Sequence, residues 1–242
     1  MSEGVRINKF LATCGLGSRR GCEEIITQGR VTINGNIAAL NSRVGPGDSV
    51  KVDGKRYRAA EEATILMNKP RGLICTKKDT HDRDTIYELL PPKLKRLNYV
   101  GRLDKESEGL LILTSDGDLA LKLTHPKHSV EKEYHVLLDR TIEKEHAEQM
   151  VEGVYTQEGV ARAERIEPQG KRWVSFVLKQ GLKRQIRLML AKFGYKVKRL
   201  VRVRIGDLIA PDLKTGKWVE LEQDGIQLAL TNPKQLPEQD QS

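Results

Sequence analysis

The sequence predicts an α+β protein of two units. Residues 1–60 read as a small αα-plus-hairpin module, and residues 64–231 as a domain built on a mixed, mainly antiparallel sheet with flanking helices. Three observations carry this reading. Two short helix patterns are followed by two separate hairpin signals in the first 60 residues, and a polar stretch from Ala59 to Ala63 then gives way to the apolar strand Thr64-Ile65-Leu66-Met67. Beyond it, strand and helix patterns alternate without the regular spacing of a doubly wound parallel sheet.

The elements follow in order. From Arg6 to Thr13, Ile7, Phe10 and Leu11 recur at helical spacing. After Gly15-Leu16-Gly17, Ser18 is placed to cap a second helix that carries Cys22, Ile25 and Ile26 on one face and stops at Gly29. Val31 and Ile33 alternate up to Asn34-Gly35, and Val50 and Val52 up to Asp53-Gly54, both two-residue hairpin turns. In the second unit, the apolar run Leu110-Leu111-Ile112-Leu113 is a strand, followed by a turn and a helix beginning near Asp118. Tyr134, Val136 and Leu138 alternate on another strand, and Ile186, Met189, Leu190 and Phe193 form the buried stripe of a helix stopped at Gly194. From residue 232 the chain is polar and proline-containing, and the segment 232–242 is expected to be unstructured.

Composition narrows the function classes. Lys and Arg total 42 against 33 Asp and Glu, a net charge of +9 over 242 residues, while 3 Phe, 2 Trp and 6 Tyr supply few stacking rings. A polyanion held mainly by charge fits this balance. The first module concentrates the effect, with ten positive residues, Arg6, Lys9, Arg19, Arg20 and Arg30 among them, against five negative ones. No apolar run approaches the ~18 residues of a membrane span, and no signal-peptide apolar block opens the chain, so the cytoplasm is the expected location. Cys14, Cys22 and Cys75 form no CxxC pair and are read as reduced and structural. No phosphate loop, dinucleotide fingerprint or zinc motif occurs. His125 and His128 flank Pro126 without a third ligand and are read as loop residues.

Two segments could carry chemistry. In the first, Gly101 to Gly117, a polar stretch bearing Asp104, Glu106 and Glu108 runs into the apolar strand. That places an acid on a loop rigidly supported by a buried element, as a catalytic carboxylate requires. The pattern does not separate Asp104 from Glu106 or Glu108, except that Gly101-Arg102 precede it. The second segment, residues 179–204, holds ten Lys and Arg and no acid, the footprint of a nucleic-acid partner. Within it Arg184 falls opposite the helix's buried stripe and is expected to reach a phosphate. Arg187 lies on the flank and is expected to turn inward to a carboxylate as a bidentate ion pair. By pattern alone, Tyr134 is a core or edge tyrosine.

Together these segments resemble one family. Gly101 to Gly117 match the GRLDxx(T/S)xGLLxxTxDG motif of the bacterial ribosomal-RNA pseudouridine synthases, of the group named for the small-subunit enzyme. Asn68-Lys69-Pro70-Arg71-Gly72, Lys132-Glu133-Tyr134, Gln180 to Arg187 and Leu200 to Gly206 match its further motifs in order. Ser18-Arg19-Arg20 and Gly29-Arg30-Val31 resemble the S4 RNA-binding domain. Ser107 replaces the more usual threonine, and Leu188 stands where an arginine commonly follows.

The resemblance implies an enzyme that flips a uridine out of ribosomal RNA and rejoins its base through carbon, without a cofactor. Asp104 would be the nucleophile, toward C1′ or C6, with Arg187 as its ion-pair partner. Tyr134 would stack on the base and assist removal of the C5 proton, and Leu200 would form an apolar wall. Arg102, Lys183, Arg184 and Gln185 would contact the substrate, and Lys9, Arg19, Arg20 and Arg30 the RNA. The expected partner is ribosomal RNA or a pre-ribosomal particle, the large subunit being favoured by Gly-Arg-Leu-Asp-Lys-x-Ser, and the protein is expected to be a monomer with no membrane or nucleotide cofactor. A non-catalytic RNA-binding or assembly factor is the alternative of a different class, and the same reaction on small-subunit or transfer RNA the nearer one. A pure binder would have no chemical reason to keep Asp104, Tyr134 and Arg187 together.

Overall fold

The computed structural model describes residues 4–59, 61–77 and 81–233. They divide into two compact units at Glu62/Ala63.

The N-terminal unit comprises β1 (Val5–Arg6), α1 (Ile7–Thr13), α2 (Arg19–Thr27), β2 (Val31–Ile33), β3 (Asn36–Ile37), β4 (Arg43–Val44), β5 (Val50–Val52) and β6 (Lys55–Tyr57). Ser18 caps α2 by accepting from the Gly21 N–H at 3.0 Å. Asn34-Gly35 and Asp53-Gly54 all have positive φ, +52°, +88°, +49° and +79°. This is the geometry that matches the natural twist of paired strands, and it closes β2 onto β3 and β5 onto β6 in a four-stranded antiparallel sheet. Ile7, Leu11, Cys22 and Ile26 from the helices meet Val31, Val50 and Val52 from the sheet.

The C-terminal unit contains β7 (Thr64–Lys69), β8 (Asn98–Val100), β9 (Glu108–Thr114), α3 (Gly117–Thr124), β10 (Lys132–Leu138), α4 (Lys144–Glu152), β11 (Val154–Thr156), β12 (Gly159–Ala161), β13 (Arg165–Pro168), β14 (Trp173–Leu178), α5 (Gln185–Lys192), β15 (Val197–Ile205), β16 (Leu208–Ile209), β17 (Trp218–Glu220) and α6 (Gln223–Leu230). The main sheet runs β13-β14-β10-β15-β9-β7-β17, with β8 on β9 and β16 on β15. Its pairings are antiparallel except between β15 and β9, which run parallel and pair only through Val201 with Glu108 and Arg202 with Gly109. Two antiparallel half-sheets therefore meet at one short parallel seam.

The apolar strands explain themselves through burial on both faces. From β7 and β9, Ile65, Met67, Leu111 and Leu113 pack on one side with Ile86, Leu90 and Leu97. Leu66, Leu110 and Ile112 pack on the other with Leu119 and Leu123 of α3 and Ala229 of α6. The opposite half-sheet buries Val136, Leu138, Phe176 and Val174 against Ile186, Met189 and Leu190 of α5. Asp116 caps α3, accepting from the Asp118 and Leu119 N–H groups.

Asn232, which the sequence reading assigns to the tail, is instead tied down. Its side chain accepts from the Glu131 N–H and donates to the Ser129 carbonyl, completing the entry to β10. The rest of the expected tail, from residue 234, lies outside the described residues. Among the described residues, no helix is long and apolar enough to cross a membrane.

The seam has no room for a side chain. A Cβ on Gly109, whose φ is +103°, would lie 2.2 Å from the Arg202 carbonyl oxygen and 2.7 Å from its nitrogen. Gly109→Ala is expected to cost more than about 3 kcal/mol in urea unfolding, combining backbone clash with left-handed strain. A loss below about 1 kcal/mol would show that the seam yields.

Candidate active site

Asp104 sits on the turn that leads into β9 and the seam, and that turn has no loose backbone. Five successive carbonyls are occupied. Leu103 O accepts from the Cys75 thiol at 3.4 Å, Asp104 O from the Ser107 N–H at 3.0 Å, and Lys105 O from the Gly72 N–H at 2.8 Å. Glu106 O accepts from Arg187 Nη2 at 3.3 Å, and Ser107 O from Lys69 Nζ at 2.7 Å. Lys69 also donates to Asp104 O at 3.1 Å and to Pro70 O at 3.1 Å. Its side chain is fully buried, following Ile65 and Met67 on the inward face of β7. Burial lowers its affinity for a proton, opposed by the Cys75 thiol and by Asp104, Glu106 and Glu108.

Two guanidiniums face the Asp104 carboxylate. Arg187 Nε lies 4.0 Å from Oδ2 and Arg184 Nη1 lies 3.6 Å from the same oxygen. The bidentate Arg187 pair expected from the helix pattern is not formed. Arg187 spends Nη2 on Glu106 O and, at 3.5 Å, on the Ser107 hydroxyl, while its buried Nε has no hydrogen-bond partner. Arg184, expected to point away, holds a left-handed conformation (φ +54°, ψ +28°) at the N-cap of α5, so it leaves the helix pattern and turns back to Asp104 and to Glu106, 3.3 Å away. Burial would raise the Glu106 carboxyl, but its own N–H and the Arg184 guanidinium outweigh this and hold it below the usual value.

The sheet supplies the floor. Lys132 and Tyr134 alternate onto one face of β10, and a register shift between Glu133 and Tyr134 sets Arg202 opposite Tyr134 but Arg204 opposite Glu133. Such a bulge reverses the alternation of β15. Arg202 therefore joins Tyr134 on the cleft side, while Arg204 goes to the other face and pairs with Glu133 at 2.8 Å and Glu131 at 3.4 Å. Asp104, Arg187, Tyr134, Leu200, Lys132 and Arg202 all line one cleft of about 330 Å³. That is the small end of ligand pockets, fitting a single nucleoside.

Arg102, Lys183, Arg184 and Gln185 also border the cleft. Arg102 and Lys183 are exposed there, whereas Gln185 is buried and already engaged. Its amide donates to Arg162 O and Gln180 Oε1 and accepts from the Leu182 N–H, so it ties the wall of the cleft together instead of offering itself to a substrate. In the N-terminal unit Lys9 is half-buried on α1, and Arg19 and Arg20 are exposed in the first turn of α2. Arg30 is clasped bidentately by Asp53, Nε to Oδ1 at 2.9 Å and Nη2 to Oδ2 at 2.5 Å, a pair an RNA phosphate would have to displace.

The basic run of residues 179–204 is likewise only in part a free surface. Lys179 pairs with Glu164 and Glu131, Arg199 forks onto Glu108 at 3.0 and 2.9 Å, and Arg204 is buried in its acid pair. The sequence reading missed Lys69 as the organiser of the turn and Gly72 as its second anchor. The available signal was period two, which puts residue 69 on the same inward face as Ile65 and Met67.

Known proteins resemble this chain along most of its length. A family model described as RNA pseudouridylate synthase matches residues 63–192, and one described as S4 domain matches residues 5–50. The chain is 37% identical over 237 residues to "Ribosomal large subunit pseudouridine synthase B" of Pseudomonas aeruginosa, covering 93% of this chain and 61% of that protein. It is 38% identical to "Dual-specificity RNA pseudouridine synthase RluF" of Escherichia coli, covering 92% and 77%, and 38% identical to an "Uncharacterized RNA pseudouridine synthase" of Aquifex aeolicus, covering 90% and 91%. The chain spans 61% of the Pseudomonas protein and 51% of its Xylella fastidiosa counterparts. A solved structure described as "Crystal structure of pseudouridylate synthase" superposes with a TM-score of 0.67 at 29% identity, covering 93% of this chain and all of that one.

Lys132 offers a pH-dependent check on the floor. Burial first, then the Arg202 charge, pulls its ammonium from 10.5 down to about 8. Across that window the folded chain binds fewer protons at Lys132 than the unfolded chain, so its contribution makes unfolding free energy rise with pH. The stability of wild type minus that of Lys132→Met should increase between about pH 8 and 10.5 in urea titrations. A flat difference would mean that Lys132 is not buried beside a second cation.

Proposed function

The chain belongs to the RNA pseudouridylate synthase family, and from that membership we propose that it isomerises a uridine of ribosomal RNA, in the large subunit, to pseudouridine. One observation supports this above the rest. The Asp104 carboxylate stands on a fully hydrogen-bonded turn over a floor of Tyr134 and Leu200, in a nucleoside-sized cleft rimmed by arginine.

The reaction breaks the C1′–N1 bond, turns the base and forms C1′–C5. Asp104 is the group that initiates it, at C1′ or at C6. Its position costs no loop ordering at that moment, because every carbonyl from 103 to 107 already has its donor. Arg187 sits with its Nε 4.0 Å from Asp104 and its own polar hydrogen there unspent, available to tighten once a substrate excludes water. Tyr134 presents a ring to the extruded base, Leu200 closes the apolar side, and Tyr134 assists transfer of the C5 proton. Arg102, Lys183 and Arg184 meet the backbone phosphates around the flipped nucleotide. No step calls on a cofactor.

Flipping costs a few kcal/mol and least where pairing is already broken, so a loop or bulge of structured RNA is the substrate. The S4 domain grips flanking RNA through Lys9, Arg19, Arg20 and, after release from Asp53, Arg30. The protein works as a monomer in the cytoplasm on ribosomal RNA or a pre-ribosomal particle.

Asp104→Asn removes one charge and almost no volume. It should lower pseudouridine formation by roughly a thousandfold or more while leaving RNA affinity within about twofold, as read by modification mapping and filter binding. Comparable product from the variant would remove Asp104 from the chemistry. Replacing both Arg19 and Arg20 by alanine should weaken RNA binding and flatten the slope of log affinity against log salt by roughly 0.7 to 0.9 for each phosphate that is no longer neutralised. An unchanged slope would take the S4 domain out of the RNA interface.

A further inference from the structure

We propose that Lys132 and Arg202 form a cationic subsite on the floor of the cleft, which takes the negative charge of the pyrimidine while it is detached from the sugar. This rests on the isomerase reading above and deepens it. When the C1′–N1 bond breaks, its electron pair stays with N1, and the free base is an anion whose charge spreads over the ring nitrogens and the two carbonyl oxygens. Joining C5 to C1′ neutralises it, after which a proton leaves C5 and N1 gains one. The interval between needs a counter-charge within the cleft. Asp104 cannot supply that, being an acid.

Lys132 and Arg202 are placed for it by the bulge, which turns Arg202 to the side of β15 that faces Tyr134. Both side chains line the cleft. Each is anchored to backbone carbonyls, Lys132 to Leu123 O at 3.1 Å and Val130 O at 2.6 Å, Arg202 Nε to Leu110 O at 2.6 Å. Arg202 is 4% exposed, and its Nη2 is buried without any acceptor. A buried donor of this kind costs free energy until an acceptor arrives. The two cations also repel one another, which with burial holds the Lys132 ammonium down to about 8. An anion seated between them relieves both costs. The surroundings, Leu178, Leu200 and the Tyr134 ring, suit a planar base better than a tetrahedral phosphate, for which the exposed Arg102 and Lys183 stand at the rim.

The test compares uracil with 5-nitrouracil, which is ionised at neutral pH, as ligands of the full-length protein. 5-Nitrouracil should bind roughly tenfold more tightly than uracil, the worth of a hydrogen bond to a charged group. It should also slow acetylation of Lys132, followed by mass spectrometry, more than uracil does at equal occupancy, because pairing keeps the amine protonated. The preference should shrink in Lys132→Met and return in Lys132→Arg. Equal affinity for the two bases, an undiminished preference in Lys132→Met, or equal protection by inorganic phosphate would overturn the proposal. If Lys132→Met does not fold, the wild-type acetylation rates decide. None of these readouts needs turnover, so their failure would leave the isomerase reading standing, and failure of that reading would appear separately as absence of pseudouridine.

Discussion

Gly109 lies against the backbone of Arg202, and only a residue without a side chain lets β9 and β15 approach closely enough to join two half-sheets. The consequences radiate from that seam. Upstream of Gly109, the chain enters as the turn that carries Asp104. Across from it, β15 carries Leu200 and Arg202, and β10 beyond carries Tyr134 and Lys132. Because a parallel pairing two residues long contributes little by itself, the seam is braced from both sides. Arg199 forks onto Glu108, and Arg202 donates across to Leu110 O. The acid and the floor it faces therefore belong to different half-sheets held in register by one glycine and two arginines.

Electrostatics at the site follow from how those arginines are divided. The cations of β15 alternate in function as well as in direction, since the bulge at residue 203 sends Arg202 into the cleft and Arg204 into a buried acid pair. A buried pair of that sort is weak evidence for stability but fixes which face each strand presents. Asp104 itself, one third exposed, is flanked at 3.6 and 4.0 Å by guanidiniums that make their shorter bonds elsewhere. The cleft is thus loosely neutralised at its acid and left with excess positive charge at its floor, an arrangement suited to a ligand that is itself anionic for part of the reaction.

Much of this was legible in the sequence where a local rule governs. The Asn-Gly and Asp-Gly turns, the Ser18 cap and the stripe of α5 each depend on a few neighbouring residues, and each is found in place. Asp104, Arg187, Tyr134 and Leu200 do line one cleft. What spacing could not reveal is pairing across the sheet. Arg199 and Arg204 read as nucleic-acid contacts because their partners, Glu108, Glu131 and Glu133, stand 71 to 91 residues earlier. Spacing likewise hid the partners of Arg30 and Gln185, Asp53 and the Arg162 carbonyl. Arg184 departs from its helical position because a left-handed residue at the N-cap breaks the period on which the reading relied.

Isomerisation of uridine to pseudouridine requires that its C5–H bond be broken and the RNA left otherwise intact. Ribosomal RNA transcribed with tritium at C5 of uridine and incubated with the wild-type protein tests this most directly. Tritium should pass into water in proportion to enzyme turnover from one or a few sites of the large-subunit RNA, with the mass of the unlabelled RNA unchanged. Retention of all tritium by RNA of both subunits, naked and in assembling particles alike, would contradict it.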